Sequence, residues 1–233
     1  MPEYSLNTHL KKIPLFKELT EDEIDKITHI ALTRKYRQRM LVFMQGDPLD
    51  RVFFIISGKV KIYKTDSTGK EQIVSILQDG EMFPHAGFFR KGDYPAHAEV
   101  VEPSTMIVIP VADFEKILLE NPEVCMKLFR VMGEKIIDLQ HRLEEQIMQN
   151  TYEQILSLLL RLCKLYGSTS EKGVTVLNTH FTNKELANMI GTSRETVSRT
   201  LTQLKKKKLV NISEKGFIEV MEEDIKEELM YEL

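Results

Sequence analysis

The chain has no tryptophan and only two cysteines, Cys125 and Cys163, in 233 residues. Two thiols so far apart cannot form the disulfide framework of a small secreted domain, nor supply the four ligands of an iron–sulfur cluster. A thiol switch between them would want an activating charge cluster beside one of them, and the sequence places none there, so both read as packing thiols. Long apolar runs are missing too. No stretch approaches the ~18 residues of a membrane span, and the opening MPEYSLNTHLKK has no signal-peptide apolar segment. The expectation is a soluble, cytoplasmic protein with no membrane partner. Strong net charge is also absent: the formal value is −3, which argues against a protein that coats nucleic acid indiscriminately. No phosphate loop, nucleophile elbow or metal-spaced His/Cys/Asp/Glu cluster occurs, so neither an enzyme nor a cofactor is expected.

What is present is enough apolar content, 42%, to bury one large domain or two smaller ones. Residues 1–32 read as a helical lead-in: Thr20 and Glu23 fit a capping box, and Leu19, Ile24, Ile27, Ile30 and Ala31 offer one apolar face. From about Thr33 to Pro110 the pattern changes to short alternating runs, VFFIISGKVKIYK, EQIVSIL and STMIVIP, broken by QGDP, DSTGK, QDGE and RKGD. That is the signature of an antiparallel β-sandwich or jelly roll, with hairpin-like breaks at Gly58-Lys59 and at Gly69.

Asn121-Pro122 then opens a long helix, since Asn is a favoured cap and Pro is tolerated at the first helical position. Phe129, Met132, Ile136, Leu139, Leu143 and Ile147 recur on it at spacings of 3, 4, 3, 4 and 4. Such a seam seeks a partner helix, or packs on the helix's own β-domain. A break near Asn150 reads as a hinge. Thr151 to Tyr166 follows as an amphipathic helix with Ile155, Leu158, Leu159, Leu162 and Leu165 facing inward, and YGSTSEKG reads as an exposed loop.

The stretch TNKELANMIGTSRETVSRTL, Thr182 to Leu201, holds two short helices. Thr182 with Glu185 and Thr192 with Glu195 each fit the S/T-x-x-E box, Gly191 marks the turn, and Leu186, Ala187, Ile190, Val197 and Leu201 supply a shared core. This is helix-turn-helix geometry. The second helix is polar where a partner would sit, with Glu195, Ser198 and Arg199 at i, i+3 and i+4 and Arg194 beside them. An Arg can donate two bonds to guanine and a Glu can accept from cytosine; the rival reading is a solvated face with Glu195 as cap only. Between Thr182 and Lys208 seven Lys/Arg stand against two Glu, so positive charge is concentrated here. LVNISEKGFIEV then reads as two strands about a Glu-Lys-Gly turn, the wing of a winged helix. The end from Glu219 to Leu233, with seven acids and one Lys, should avoid DNA. Ile225, Leu229 and Leu233 allow a short helix docked on the same domain, against the alternative of a frayed end.

GTSRETVSRTL resembles the recognition-helix signature of the Crp/Fnr family of bacterial transcription regulators, and the likeness extends along nearly the whole chain. It implies an α+β protein: a cyclic-nucleotide-binding-like β-roll (jelly roll) over 1–120, a dimerisation helix over 121–150, and a winged helix-turn-helix over 151–233. It implies a homodimer on palindromic double-stranded DNA that also contacts RNA polymerase, with the 129–147 seam as interface. Arg194, Glu195 and Arg199 would read a TGTGA-like half-site, or Glu195, Ser198 and Arg199 a TTGA-like one. Thr182, Thr192, Lys205, Lys206, Lys207, Lys208 and Lys215 would contact or approach phosphates.

The segment GEMFPHAGFFRKGDYPAHAEV, Gly80 to Val100, stands where the family has its phosphate-binding cassette and departs from it. Pro84, His85 and Pro95 replace a Gly-Glu pair and an Arg, and proline has neither amide donor nor charge for a phosphate. Cyclic AMP is therefore not the expected effector, and none is assigned. The segment more closely resembles family members that regulate the arginine deiminase pathway. His85 and His97, beside Phe83, Phe88, Phe89 and Tyr94, read as structural imidazoles or, with Pro2, as haem ligands of a sensor whose output is protein contact.

Overall fold

The computed structural model describes residues 6–85, 92–169 and 173–231; Pro2, Phe88, Phe89 and Leu233 lie outside them. The chain forms two compact units that divide between Ile136 and Ile137, within a single long helix.

The first unit opens with α1 (Leu6–Lys12) and α2 (Glu21–Ile30). Thr20 caps α2 as expected: its hydroxyl accepts from the Glu23 amide while the Glu23 carboxylate accepts from the Thr20 amide. Six strands follow, β1 (Leu32–Tyr36), β2 (Leu41–Phe43), β3 (Arg51–Thr65), β4 (Glu71–Leu77), β5 (Met82–Phe83) and β6 (His97–Pro110). All pair antiparallel in the order β1-β6-β3-β4, with β2 added to β6 and β5 to β3. The two long strands, β3 and β6, are apolar on both faces. Phe53, Ile55, Met106 and Val108 face the interior of the roll with Phe43, Phe83, Tyr94 and Val100. Val52, Phe54, Ile107 and Ile109 face the helices, against Phe16, Ile24, Ile27, Phe114, Ile117 and Leu128. A two-residue strand period thus serves two cores at once.

Gly69 lies in the turn between β3 and β4, where the Asp66 carboxylate accepts from the Thr68 and Lys70 amides. Gly58 does not make a hairpin. It sits within β3 at a register shift against β6, with φ +99°, and a Cβ there would come within 2.6 Å of the Pro103 carbonyl oxygen. The residue permits a bulge that lets one long strand bend across the roll.

After β6 comes α3 (Val111–Glu120), not anticipated from the sequence pattern, which buries Phe114, Ile117 and Leu118. The long helix α4 runs Pro122–Met148. Val124 and Leu128 are buried and Met132 packs on the first unit's core. Phe129, Ile136, Leu139, Leu143 and Ile147, by contrast, are each more than half exposed. Among the described residues no helix is long and apolar enough to cross a membrane.

Within the second unit, Asn150 caps α5 (Thr151–Tyr166), accepting from the Tyr152 and Glu153 amides. Ile155, Leu158, Leu159 and Leu162 are buried as expected, but Leu165 is exposed and Tyr166 takes the inward place, against Phe181 at 5.6 Å. The supposed loop after it begins as a strand, β7 (Gly167–Thr169), paired with β8 (Val174–Leu177). Then follow α6 (Asn183–Ile190), α7 (Arg194–Lys206), β9 (Val210–Ile212), β10 (Ile218–Met221) and α8 (Glu222–Tyr231), with the sheet ordered β7-β8-β10-β9. The acidic end is therefore a docked helix: Ile225 is fully buried and Leu229 half-buried.

Candidate nucleic-acid interface

Helices α6 and α7 form the helix-turn-helix by local chemistry. The Thr182 hydroxyl accepts from the Glu185 amide at 3.2 Å and the Glu185 carboxylate accepts from the Thr182 amide at 2.8 Å, a reciprocal box. Gly191 closes α6 with φ +76°, a conformation in which an L side chain is strained. Leu186 and Ala187 on α6 and Val197, Thr200, Leu201 and Leu204 on α7 are buried. They fix which face of α7 remains outside.

The cap of α7 is Ser193, not Thr192. Its hydroxyl accepts from the Thr196 amide at 3.1 Å, and the helix begins one residue later than the Thr192–Glu195 box predicted. Thr196 consequently holds the third helical position, from which a side chain reaches back to the cap; its hydroxyl lies 2.9 Å from that of Ser193. Glu195 is left out of the cap and points to solvent. Arg194, Ser198 and Arg199 are exposed as well, so one polar face carries two guanidinium groups, one carboxylate and one hydroxyl. Thr202 adds a hydroxyl one turn on, donating to the Ser198 carbonyl at 2.8 Å.

The far end of α7 turns sharply. The Leu209 amide donates to the Leu204 carbonyl at 3.0 Å and the Lys208 amide to the Lys205 carbonyl at 3.1 Å, with Lys208 at φ +62°. This is a Schellman turn with lysine where glycine is usual, and the buried pair Leu204 and Leu209 supplies its apolar contact. Lys205, Lys206, Lys207 and Lys208 are all exposed around it. Lys207 is engaged within the unit, pairing with Glu228 and lying 5.4 Å from the Tyr152 ring.

The wing is a β9–β10 hairpin whose turn bonds the Ser213 amide to the Phe217 carbonyl and the Gly216 amide to the Ser213 carbonyl, both at 2.9 Å. Lys215 is exposed on it. His180 stacks on Phe217 at 4.0 Å, bracing the wing from a position no local pattern marks. Thr182 and Thr192 stand at the two helix starts, exposed and half-buried respectively.

In the first unit, the described residues of this segment, 80–85 and 92–100, include no Lys or Arg. Burial pushes the His85 imidazole down to about 4, and the Lys135 ammonium adds to this while Glu81 opposes it. It is neutral near pH 7, and Lys135 is already paired with Glu81 at 2.9 Å. His97 is structural: its Nδ1 accepts from the Gln45 amide at 3.2 Å and its ring stacks on Tyr63 at 4.9 Å. The Tyr94 hydroxyl, beside Pro95, donates to the Arg51 carbonyl at 3.0 Å. In the second unit, burial and the nearby Glu222 push the Cys163 thiol up to about 12, so it is unreactive at neutral pH.

Residues 33–121 match the cyclic nucleotide-binding domain and residues 153–224 the Crp-like helix-turn-helix domain. The global nitrogen regulator of Nostoc sp. is 29% identical over 182 residues, 77% of this chain and 81% of that protein. The cyclic AMP receptor protein of Thermus thermophilus is 28% identical over 96% of this chain and 100% of its own length. Among solved structures, FixK2 from Bradyrhizobium japonicum superposes with a TM-score of 0.72 at 20% identity, covering 85% of this chain and 96% of that one.

Proposed function

We propose that the chain, a DNA-binding transcription regulator of the Crp/Fnr type by its two matched domains, binds palindromic sites as a homodimer without cyclic AMP. The observation that carries this reading is the exposed face of α7. Arg194, Glu195, Ser198 and Arg199 stand together on a helix whose opposite face is buried, with Lys205, Lys206 and Lys208 at its end and Lys215 on the wing. The first four are assigned to base edges; the lysines, with Thr182 and Thr192, are assigned to phosphates. Arg199→Ala is expected to cost about 1–3 kcal/mol per half-site and to relax preference at one base pair. Uniform weakening on every sequence, read by competition with single-base variants, would remove Arg199 from base reading.

Homodimerisation is assigned to the exposed apolar stripe of α4, Phe129, Ile136, Leu139, Leu143 and Ile147, with Met132 at its inner border. Two copies sharing a symmetry axis read both halves of a palindrome and multiply the discrimination of one. Independence from cyclic AMP rests on Pro84 and Pro95, which have no amide N–H to donate, and on neutral His85, which brings a phosphate no charge. From the resemblance of the Gly80 to Val100 segment we extend the reading to control of arginine catabolism, exerted in the cytoplasm through contact with RNA polymerase. No catalytic step is assigned. The pair of matched domains favours this over a haem-type sensor with protein contact as its output.

The test is binding of purified protein to a labelled TGTGA-type palindrome against scrambled competitor, with and without cyclic AMP. Specific binding that cyclic AMP leaves unchanged is expected. Binding only in its presence would overturn the assignment made to Pro84, His85 and Pro95. Failure on this duplex with success on a TTGA-type palindrome would move the base-reading set to Glu195, Ser198 and Arg199.

A further inference from the structure

Three elements of the second unit meet at one small polar cluster. Tyr152 comes from the first turn of α5, Lys207 is the C-terminal cap of α7, and Glu228 lies on α8. The Tyr152 hydroxyl donates to the Glu228 carboxylate at 2.9 Å, and the Lys207 ammonium donates both to that carboxylate and, at 3.3 Å, to the Tyr152 oxygen. The ammonium also lies over the Tyr152 ring. Tyr152 and Glu228 both fall outside residues 153–224, the stretch matched by the helix-turn-helix domain, so the cluster is added to that domain from its two flanks.

Helix α8 is held in place to make this contact. Ile225 is fully buried, Glu222 bonds the buried Thr175 hydroxyl of β8, and Leu229 is half-buried, so Glu228 is presented at a set position. A hydroxyl that donates to a carboxylate fixes its orientation and leaves its remaining lone pairs for the ammonium. The bond to Glu228 raises the Lys207 ammonium above its ordinary value, and the bond to Lys207 holds Glu228 below the usual carboxylate range. Both groups stay charged across neutral pH.

We propose that Glu228, oriented by Tyr152, is an intramolecular competitor for phosphate: it neutralises Lys207 at the end of the recognition helix and lowers the chain's affinity for DNA of any sequence. The inference rests on the assignment of α7 to DNA. A partly exposed ion pair contributes little to folding, since solvent screens it. Its consequence lies in counting cations. Of the four consecutive lysines, Lys207 must give up a carboxylate before it meets a phosphate, whereas Lys205, Lys206 and Lys208 need not. Specificity would then depend less on non-specific attraction and more on Arg194, Glu195, Ser198 and Arg199.

The test compares wild type with Glu228→Gln, Lys207→Gln and the double variant on a specific palindrome and on a scrambled duplex, over a salt series. Glu228→Gln is expected to tighten both complexes. Its plot of log affinity against log salt should steepen by about 0.9 per half-site, or roughly threefold more loss per half-site between about 50 and 200 mM salt. In the Lys207→Gln background the same substitution should change nothing. Tightening that persists there would make Glu228 a diffuse repulsive charge and overturn the proposal, as would an unchanged slope in a Glu228→Gln protein that binds DNA like wild type. If neither wild type nor Glu228→Gln retains any duplex at low salt, the DNA assignment itself fails and takes the proposal with it, a result distinct from the others. Unchanged far-ultraviolet circular dichroism and melting of all variants separate these effects from loss of α8 docking.

Discussion

Replacing Leu139 and Leu143 together by glutamate is expected to convert the proposed dimer to a monomer and to lower affinity for a palindrome by about 10²–10⁴-fold, the gain that linking two binding modules typically supplies. The two residues lie one turn apart on α4 and are 53% and 59% exposed. With Phe129, Ile136 and Ile147 they form an apolar stripe larger than isolated surface leucines would make. Because neither is part of its own unit's core, the substitutions should leave each unit folded, with effects on stability near the ±0.5 kcal/mol of ordinary surface changes. In a symmetric helix pair, however, each new carboxylate faces apolar surface and its own counterpart. Sedimentation should report the monomer, and binding to a duplex carrying a single half-site should match wild type. A variant that stays dimeric and holds the palindrome as before would place the interface on another surface.

Phe54→Ala should destabilise the first unit by about 3–5 kcal/mol, a large part of the roughly 5–15 kcal/mol a native domain has. Phe54 is fully buried on the helix-facing side of β3 and packs at 4.9 Å on Phe16, from the segment joining α1 to α2, and at 5.6 Å on Phe114 of α3. Truncation leaves a void bordered by three separate elements, which cannot all collapse into it. Phe54→Leu, which keeps most of the volume, should cost under about 1.5 kcal/mol. The chain has no tryptophan, so urea unfolding is best followed by circular dichroism at fixed protein concentration. A lowered midpoint with unchanged slope is expected. A loss below about 1 kcal/mol for Phe54→Ala would mean that this face repacks freely.

Much of the DNA-binding unit is legible in sequence because its determinants are short-range. The Thr182–Glu185 box, the left-handed Gly191 and the apolar positions of α6 and α7 all act within a turn or two of helix. So do the Asn150 cap of α5 and the Ser213 to Gly216 turn of the wing. The strands of the β-roll are foreshadowed by alternating runs, whereas the sequence leaves α8 open between a docked helix and a frayed end, and the burial of Ile225 decides for docking. The sequence is ambiguous where two local solutions compete or where the partner is distant along the chain. Thr192 and Ser193 both suit a cap, but the Thr192 amide donates to the Ala187 carbonyl at 3.1 Å in the turn that closes α6, and α7 starts from Ser193. Leu165 and Tyr166 are adjacent, and it is Tyr166 that turns inward, beside Phe181, a partner 15 residues further on.

The sequence by itself determined most capped helices, the strand-rich first half followed by a winged helix-turn-helix, and the polar face of α7, since helix periods, caps and turns follow from nearest-neighbour chemistry, while α3 and β7 escaped it. Only the tertiary structure decided that Gly58 serves a bulge, that the Glu195 carboxylate is released from the cap, that His85 is neutral, and that Lys207 is held by a carboxylate 21 residues further on. Each of these depends on burial or on a partner brought close by folding, and neither dielectric environment nor long-range proximity is written in the spacing of residues along a chain.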